Sequence, residues 1–334
     1  MKGVRLRKRL LNYFVTTLNG MALGLFATLI IGVIINQVGV LTSNQLLIEL
    51  YQILRTLMGV GIGIGVAWSL KHQGLSLISF AVAGGIATAI VFDPVVAYLT
   101  TILTIEGVRL ILRKKTAIDI ILIPLISSVL AAGIAFLIGP PISAFMQGIG
   151  QIIEEATTLQ PFIMGIVVAV LMGMALTAPI SSAAIAISIG LSGLAAGAAL
   201  AGGAAQMIGF AVMSRKDNTI GTVLSIAFGT SMLQFKNVLK KPIIWLPPII
   251  ASAVLGPLST MVFKVQTSPV GAGMGTSGLV GPIATLDVMG YQTTTFVVIG
   301  LMYFVFPIIL VYGFDRVFRF KNYIVSGDFD LTTH

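Results

Sequence analysis

Cysteine is absent from this chain. Disulfides, thiolate-held metals and covalent chemistry on a thiol are therefore excluded. Charge is scarce: 9% of the residues are Asp, Glu, Lys or Arg, where a soluble domain carries roughly a quarter. Histidine occurs only at His72, in a short polar loop where it reads as solvated, and at His334. No His, Asp and Glu grouping has the spacing of a metal site. The sequence alone thus offers no catalytic residue, no metal and no cofactor.

Apolar residues make up 57% of the 334 positions, and the mean hydropathy is +1.03. Such a chain cannot cover its surface with polar groups and needs lipid as its main solvent. A span takes about 20 apolar residues, so there is room for roughly ten. The formal net charge is +9. Its carriers fall in short clusters between apolar runs: Lys2, Arg5, Arg7, Lys8 and Arg9; Arg109, Arg113, Lys114 and Lys115; Lys236, Lys240 and Lys241; Arg316, Arg319 and Lys321. That placement is the signature of cytoplasmic loops and argues against nucleic acid as a partner.

Run lengths place spans at about 13–37 and 50–70, with the lysine-free and arginine-free loop 39–49 outside. The first run is too long for a signal peptide and reads as a span. A third span ends at Asp93-Pro94, where Asp93 reads as a helix-end residue, and a fourth ends in the cluster after Arg109. A fifth runs to Gly139-Pro140-Pro141. Ile142, Phe145, Met146, Ile149, Ile152 and Ile153 then recur at helical spacing among Gln and Glu, as in an interfacial amphipathic helix. Spans follow at about 161–178, 180–197, 198–213, 243–263 and 292–313. The alternating Gly59, Gly61, Gly63 and Gly65 lack the Lys-Ser/Thr of a phosphate loop and read as a packing surface.

Two segments break the pattern. Residues 217–237 are apolar but interrupted by Gly221, Thr222, Ser225, Gly229, Thr230 and Ser231, with basic residues on both sides; residues 268–290 are too rich in glycine for a helix in lipid. Both read as re-entrant hairpins, entering from opposite faces. Non-helical backbone is tolerated at membrane depth where it lines a cavity or is buried in protein. The candidate solute contacts are therefore Asn218, Thr230, Ser231, Gln234, Gly275, Thr276, Ser277, Gly278 and Asp287. Most are neutral donors and acceptors, which suits a polyhydroxy solute. Asp287 is either a functional intramembrane acid or an interfacial helix cap.

The stretches Asp217-Asn218-Thr219-Ile220-Gly221-Thr222, Gly229-Thr230-Ser231-Met232, Lys240-Lys241-Pro242 and the run from Gly273 to Pro282 resemble the IIC membrane subunit of bacterial phosphotransferase-system permeases. Their nearer likeness is to its compact stand-alone group, labelled IIC-like or perfringolysin-regulator-like. The resemblance implies an all-α polytopic protein of the bacterial cell membrane, with about ten transmembrane helices, two re-entrant hairpins and an amphipathic connecting helix. Both termini would be cytoplasmic. It implies a homodimer with an interface half (1–138), a connecting helix (139–160), a substrate-holding domain (161–315) and a tail (316–334). It also implies sugar uptake coupled to phosphorylation by a separate IIB protein. Sugar-transporting members place a His and a Glu at the sugar. Here no Glu follows Glu155, and no His follows His72 before His334. A carrier of a non-sugar metabolite and a membrane sensor without transport therefore stand beside the permease reading.

Overall fold

A computed structural model of the chain describes residues 2–112, 118–178, 180 and 182–331. The basic residues Arg113, Lys114 and Lys115, the break at Pro179 and His334 lie outside the described residues, as do the side chains of the first basic cluster. Among the described residues there is no strand, only an isolated bridge between Gly193 and Thr267. The chain divides into two compact units, Met1–Phe145 and Met146–His334.

In the first unit α1 (Lys2–Leu25) passes through a π-helical turn into α2 (Ile31–Leu41). α3 (Gln45–Thr56) starts at Asn44, whose side chain accepts from the Leu46 and Leu47 amides. α4 (Met58–Ser69) is bent from α3 by 48°, so the span expected at 50–70 is a bent pair that begins earlier. α5 (Gly74–Ile90) and α6 (Pro94–Ile111) follow. Asp93 caps α6, its Oδ1 accepting from Val95 N at 2.7 Å and Val96 N at 3.0 Å. His72 is half-buried edge-on against Phe80 rather than solvated, and burial lowers its pKa.

The glycine ladder lies inside this unit. Residues two apart on a helix point to opposite sides, and residues four apart share one. A Cβ at Gly59 or Gly63 would meet the Gly84 or Phe80 carbonyl of α5; one at Gly61 or Gly65 would meet Thr28 or the Gly20 carbonyl on the α1 side. α4 is thereby clasped between two helices at a separation that only glycine permits. These small faces are spent within the chain.

α7 (Asp119–Thr157) is one 39-residue helix containing Pro124, Pro140 and Pro141. The expected stop at Gly139-Pro140-Pro141 does not occur, and the amphipathic stretch is the end of α7. A proline removes one ladder bond, yet its own φ is helical, and apolar turns on both sides carry the helix on.

The second unit contains α8 (Pro161–Thr177), the short α9 (Ser182–Ser188), α10 (Gly193–Ser214), α11 (Ile220–Phe228), α12 (Phe235–Lys240), α13 (Leu246–Pro257), α14 (Pro269–Met274), α15 (Val280–Met289), α16 (Thr293–Gly300) and α17 (Phe306–Phe320). The small-residue helices expected to divide near 197 divide at 189–192, beside Gly190 (φ 62°) and Gly193 (φ 60°). α10 is central, almost wholly buried, and packs on α8, α13 and α17. Its glycines set the distances: a Cβ on Gly202 would strike the Ala169 carbonyl of α8.

Among the described residues, six helical spans are long and apolar enough to cross a membrane: Asn12–Leu41, Pro94–Ile111, Asp119–Phe145, Gly193–Ser214, Pro242–Val262 and Thr293–Phe320. The bent α3–α4 pair makes seven. α5 and α8 are apolar but 17 residues long, about 25 Å at 1.5 Å per residue. The chain is a multi-pass all-α membrane protein.

Candidate functional site

α8 ends at Thr177, and the α8–α10 glycine contact brings that residue against Gln206. Thr177 Oγ1 donates to Gln206 Oε1 at 3.0 Å, and lies 2.8 Å from Ser231 Oγ in the turn after α11. Trp245 Nε1 donates to the same Gln206 Oε1 at 2.9 Å. An indole N–H can only donate, so the amide orientation of Gln206 is set: the oxygen faces Thr177 and Trp245. With its single proton on Gln206, Thr177 accepts from Ser231. Gln206 Nε2, whose side chain is 0% exposed, is left with no partner.

The second irregular segment packs on the same helix, α10, and on the end of α11. Gly275 (φ 57°, ψ −135°) adopts a conformation open in practice to glycine. A Cβ there would lie 3.0 Å from Met207 Sδ and 3.2 Å from the Gly203 carbonyl carbon. Thr276 Oγ1 donates to the Ala227 carbonyl at the end of α11, 2.6 Å away. That bond joins the 217–237 segment to the 268–290 segment. Gly278 (φ 53°) and Leu279 (φ 59°) then turn the chain into α15. A left-handed leucine costs roughly 1–2 kcal/mol, and the packed loop sustains it. Ser277 Oγ, on a residue 2% exposed, is also without a partner, as is Thr267 Oγ1 just before the segment.

The family described as Phosphotransferase system, EIIC matches residues 15–331. This chain belongs to that family. No curated protein and no solved structure matches it.

In this EIIC chain the nine residues expected at a site divide. Ser231, Gly275, Thr276 and Ser277 lie in the buried cluster, and Thr230, also buried, caps the Met232 amide. Gly278 supplies the turn. Asn218 and Gln234 instead hold the C-terminal tail: each donates to the Phe329 carbonyl, at 2.7 and 2.9 Å. Asp287 is exposed and accepts from Tyr291 at 2.6 Å. Thr177, Gln206 and Trp245 were not anticipated. The signal for Gln206 is present in the sequence, since it is the lone amide in a run of Gly, Ala and apolar residues.

The cluster is electrically neutral. Asp217 accepts from Ser326 and the Phe329 amide, Asp315 pairs with Arg319, and Asp328 pairs with Lys241. Among the described residues no group of His, Asp and Glu could hold a metal.

Proposed function

We propose that this EIIC chain moves a small, neutral, polyhydroxy solute, a sugar or polyol, across the bacterial cell membrane, and holds it at the cluster of Gln206, Ser231, Thr276 and Ser277. One observation carries the reading. Gln206 Nε2 on α10 and Ser277 Oγ in the 268–290 segment that packs on α10 are two of seven buried side-chain atoms without a partner among the described residues. Leaving such groups unmatched costs about 1–3 kcal/mol each, and a solute hydroxyl that both donates and accepts suits them. With the two segments as re-entrant hairpins and α5 and α8 as spans, nine crossings are counted among the described residues; both termini are cytoplasmic if the segment of α9, between α8 and α10, makes the tenth. Two copies form a homodimer through their first units; a monomeric mass in nanodiscs would exclude that.

The site is tested by thermal shift of the purified protein against a sugar and polyol panel. For the solute that stabilises it, Ser277→Ala should weaken binding by about fivefold, one neutral hydrogen bond. Stability without solute should hold or rise, because Ser277 has no internal partner to lose and an unmatched buried hydroxyl is removed. Unaltered affinity in this variant and in Gly275→Val would refute the site.

A second reading, a carrier that releases its solute unmodified, is favoured by the absence of any carboxylate or imidazole among the cluster residues. A sugar hydroxyl there has no base of this chain to take its proton. Uptake of labelled solute into proteoliposomes lacking IIA and IIB proteins separates the two. Unmodified label inside favours the carrier; dependence on phosphorylated IIB favours coupled uptake.

A further inference from the structure

After α17 the chain turns back, and residues 324–331 lie against the 217–237 segment. Ile324 and Phe329 are buried. The Phe329 ring meets Phe210 edge-on at 6.4 Å, with the Arg319 guanidinium 5.6 Å from its centre. The main chain of this tail is gripped at Phe329, Asp330 and Leu331. At the entry foot of the hairpin, Asn218 Nδ2 donates to the Phe329 carbonyl and Asn218 Oδ1 accepts from the Leu331 amide at 2.9 Å. Asp217 accepts from the Phe329 amide and from Ser326 Oγ, both at 3.2 Å. At the exit foot, Gln234 Nε2 donates to the same Phe329 carbonyl, and Asn237 Nδ2 donates to the Asp330 carbonyl at 3.1 Å. Lys241 Nζ closes on Asp328 at 2.6 Å.

One carbonyl, that of Phe329, thus takes a hydrogen bond from each foot of the hairpin. The two feet are tied through the tail. Most of these contacts are to main-chain atoms, and the side chains recognised are an aromatic ring in a socket and an aspartate beside a lysine. That is how a protein binds a peptide through its main chain, here one folded into turns over residues 326–329.

We propose that the two feet of the 217–237 hairpin form a peptide-docking site, filled in cis by residues 324–331, and that departure of this tail frees the hairpin to move. Asp217, Asn218, Gln234 and Asn237 are then latch residues, and the solute cluster lies further along the same hairpin. The inference rests on the tail contacts alone, so failure of the Ser277 affinity test leaves it standing.

The test is hydrogen exchange on the full chain in nanodiscs. Phe329→Ala empties the socket and should speed exchange of amides 219–233 at least tenfold, with α4 and α5 unchanged. Because the chain has no cysteine, Asp217→Cys with Ser326→Cys gives a single closable pair. Its oxidised form should exchange slowly in the hairpin and its reduced form faster. A peptide of residues 322–331, added to the full chain carrying Phe329→Ala, should restore slow exchange, and the same peptide with Phe329→Ala should not. Faster exchange confined to the tail in Phe329→Ala would overturn the proposal. So would equal hairpin exchange in the oxidised and reduced pair, which decides the matter if the other variants fail to fold.

Discussion

Lys236 is a lysine 6% exposed, on α12, close to Lys240 and Asp330. Burial, then the charge of Lys240, pushes its pKa down from 10.5 to about 8, with Asp330 pulling the other way. Between about pH 8 and 10.5 the unfolded chain therefore binds more protons than the folded one, and stability contributed by this group rises with pH across that window. Below it, the folded protein carries an ammonium it would rather shed. A shift of this size corresponds to about 3 kcal/mol at pH 7, at 1.36 kcal/mol per unit. Lys236→Met keeps the stem and removes the charge. The variant should be more stable than wild type by up to about 3 kcal/mol at pH 7. The gain should shrink steadily above pH 8 and vanish near pH 10.5, where wild type is neutral as well. Thermal unfolding of both proteins side by side in detergent, from pH 7 to 10.5, measures it. Other titrations cancel in the difference. A gain independent of pH would show that the lysine is not held in a desolvated place.

Thr276→Val removes the bond to the Ala227 carbonyl and leaves that carbonyl unmatched, so it should destabilise the second unit by about 1–3 kcal/mol; Ser277→Ala should cost nothing, and equal melting of the two would refute the different partnering assigned to them. Gly65→Ala drives a methyl into the Gly20 carbonyl, whereas Gly133→Ala meets nothing within 4 Å. The first should lower the melting temperature by several degrees and the second should hold or raise it, since alanine is the better helix former. Single cysteines at Asn44 and Lys240 should be labelled by an impermeant thiol reagent from outside and only after lysis, respectively; labelling of position 240 on intact cells would invert the proposed orientation.

The membrane class was readable because it is a bulk property: scarce charge and apolar runs permit no other solvent. Asp93 was readable because a cap acts on amides two and three residues away. The two broken segments were readable because glycine and hydroxyl residues weaken a helix wherever they fall. The helix count was harder. α5 and α8 stop one residue short of the length of α6, and Leu57 bends what looks like a single run. The pairing of α4 was hidden too, since the same alternating glycines serve a contact within or between chains, and only the opposing Gly20 and Gly84 decide it.

The candidate site was half-readable, for a reason that separates two kinds of polar residue. Asn218, Gln234 and Ser277 look alike in sequence, polar positions in or beside irregular apolar segments. Asn218 finds its acceptor 111 positions away and Gln234 finds the same one 95 positions away, and no local spacing announces that. Each has both ends of its amide engaged, and their work is to hold the tail. Ser277 and Gln206 Nε2 are buried with capacity unspent. A buried polar group that is matched stabilises one arrangement; one that is unmatched costs free energy until something arrives. On the function proposed above, the second kind is where a solute would rest, and the first is what would have to let go for the 217–237 segment to move.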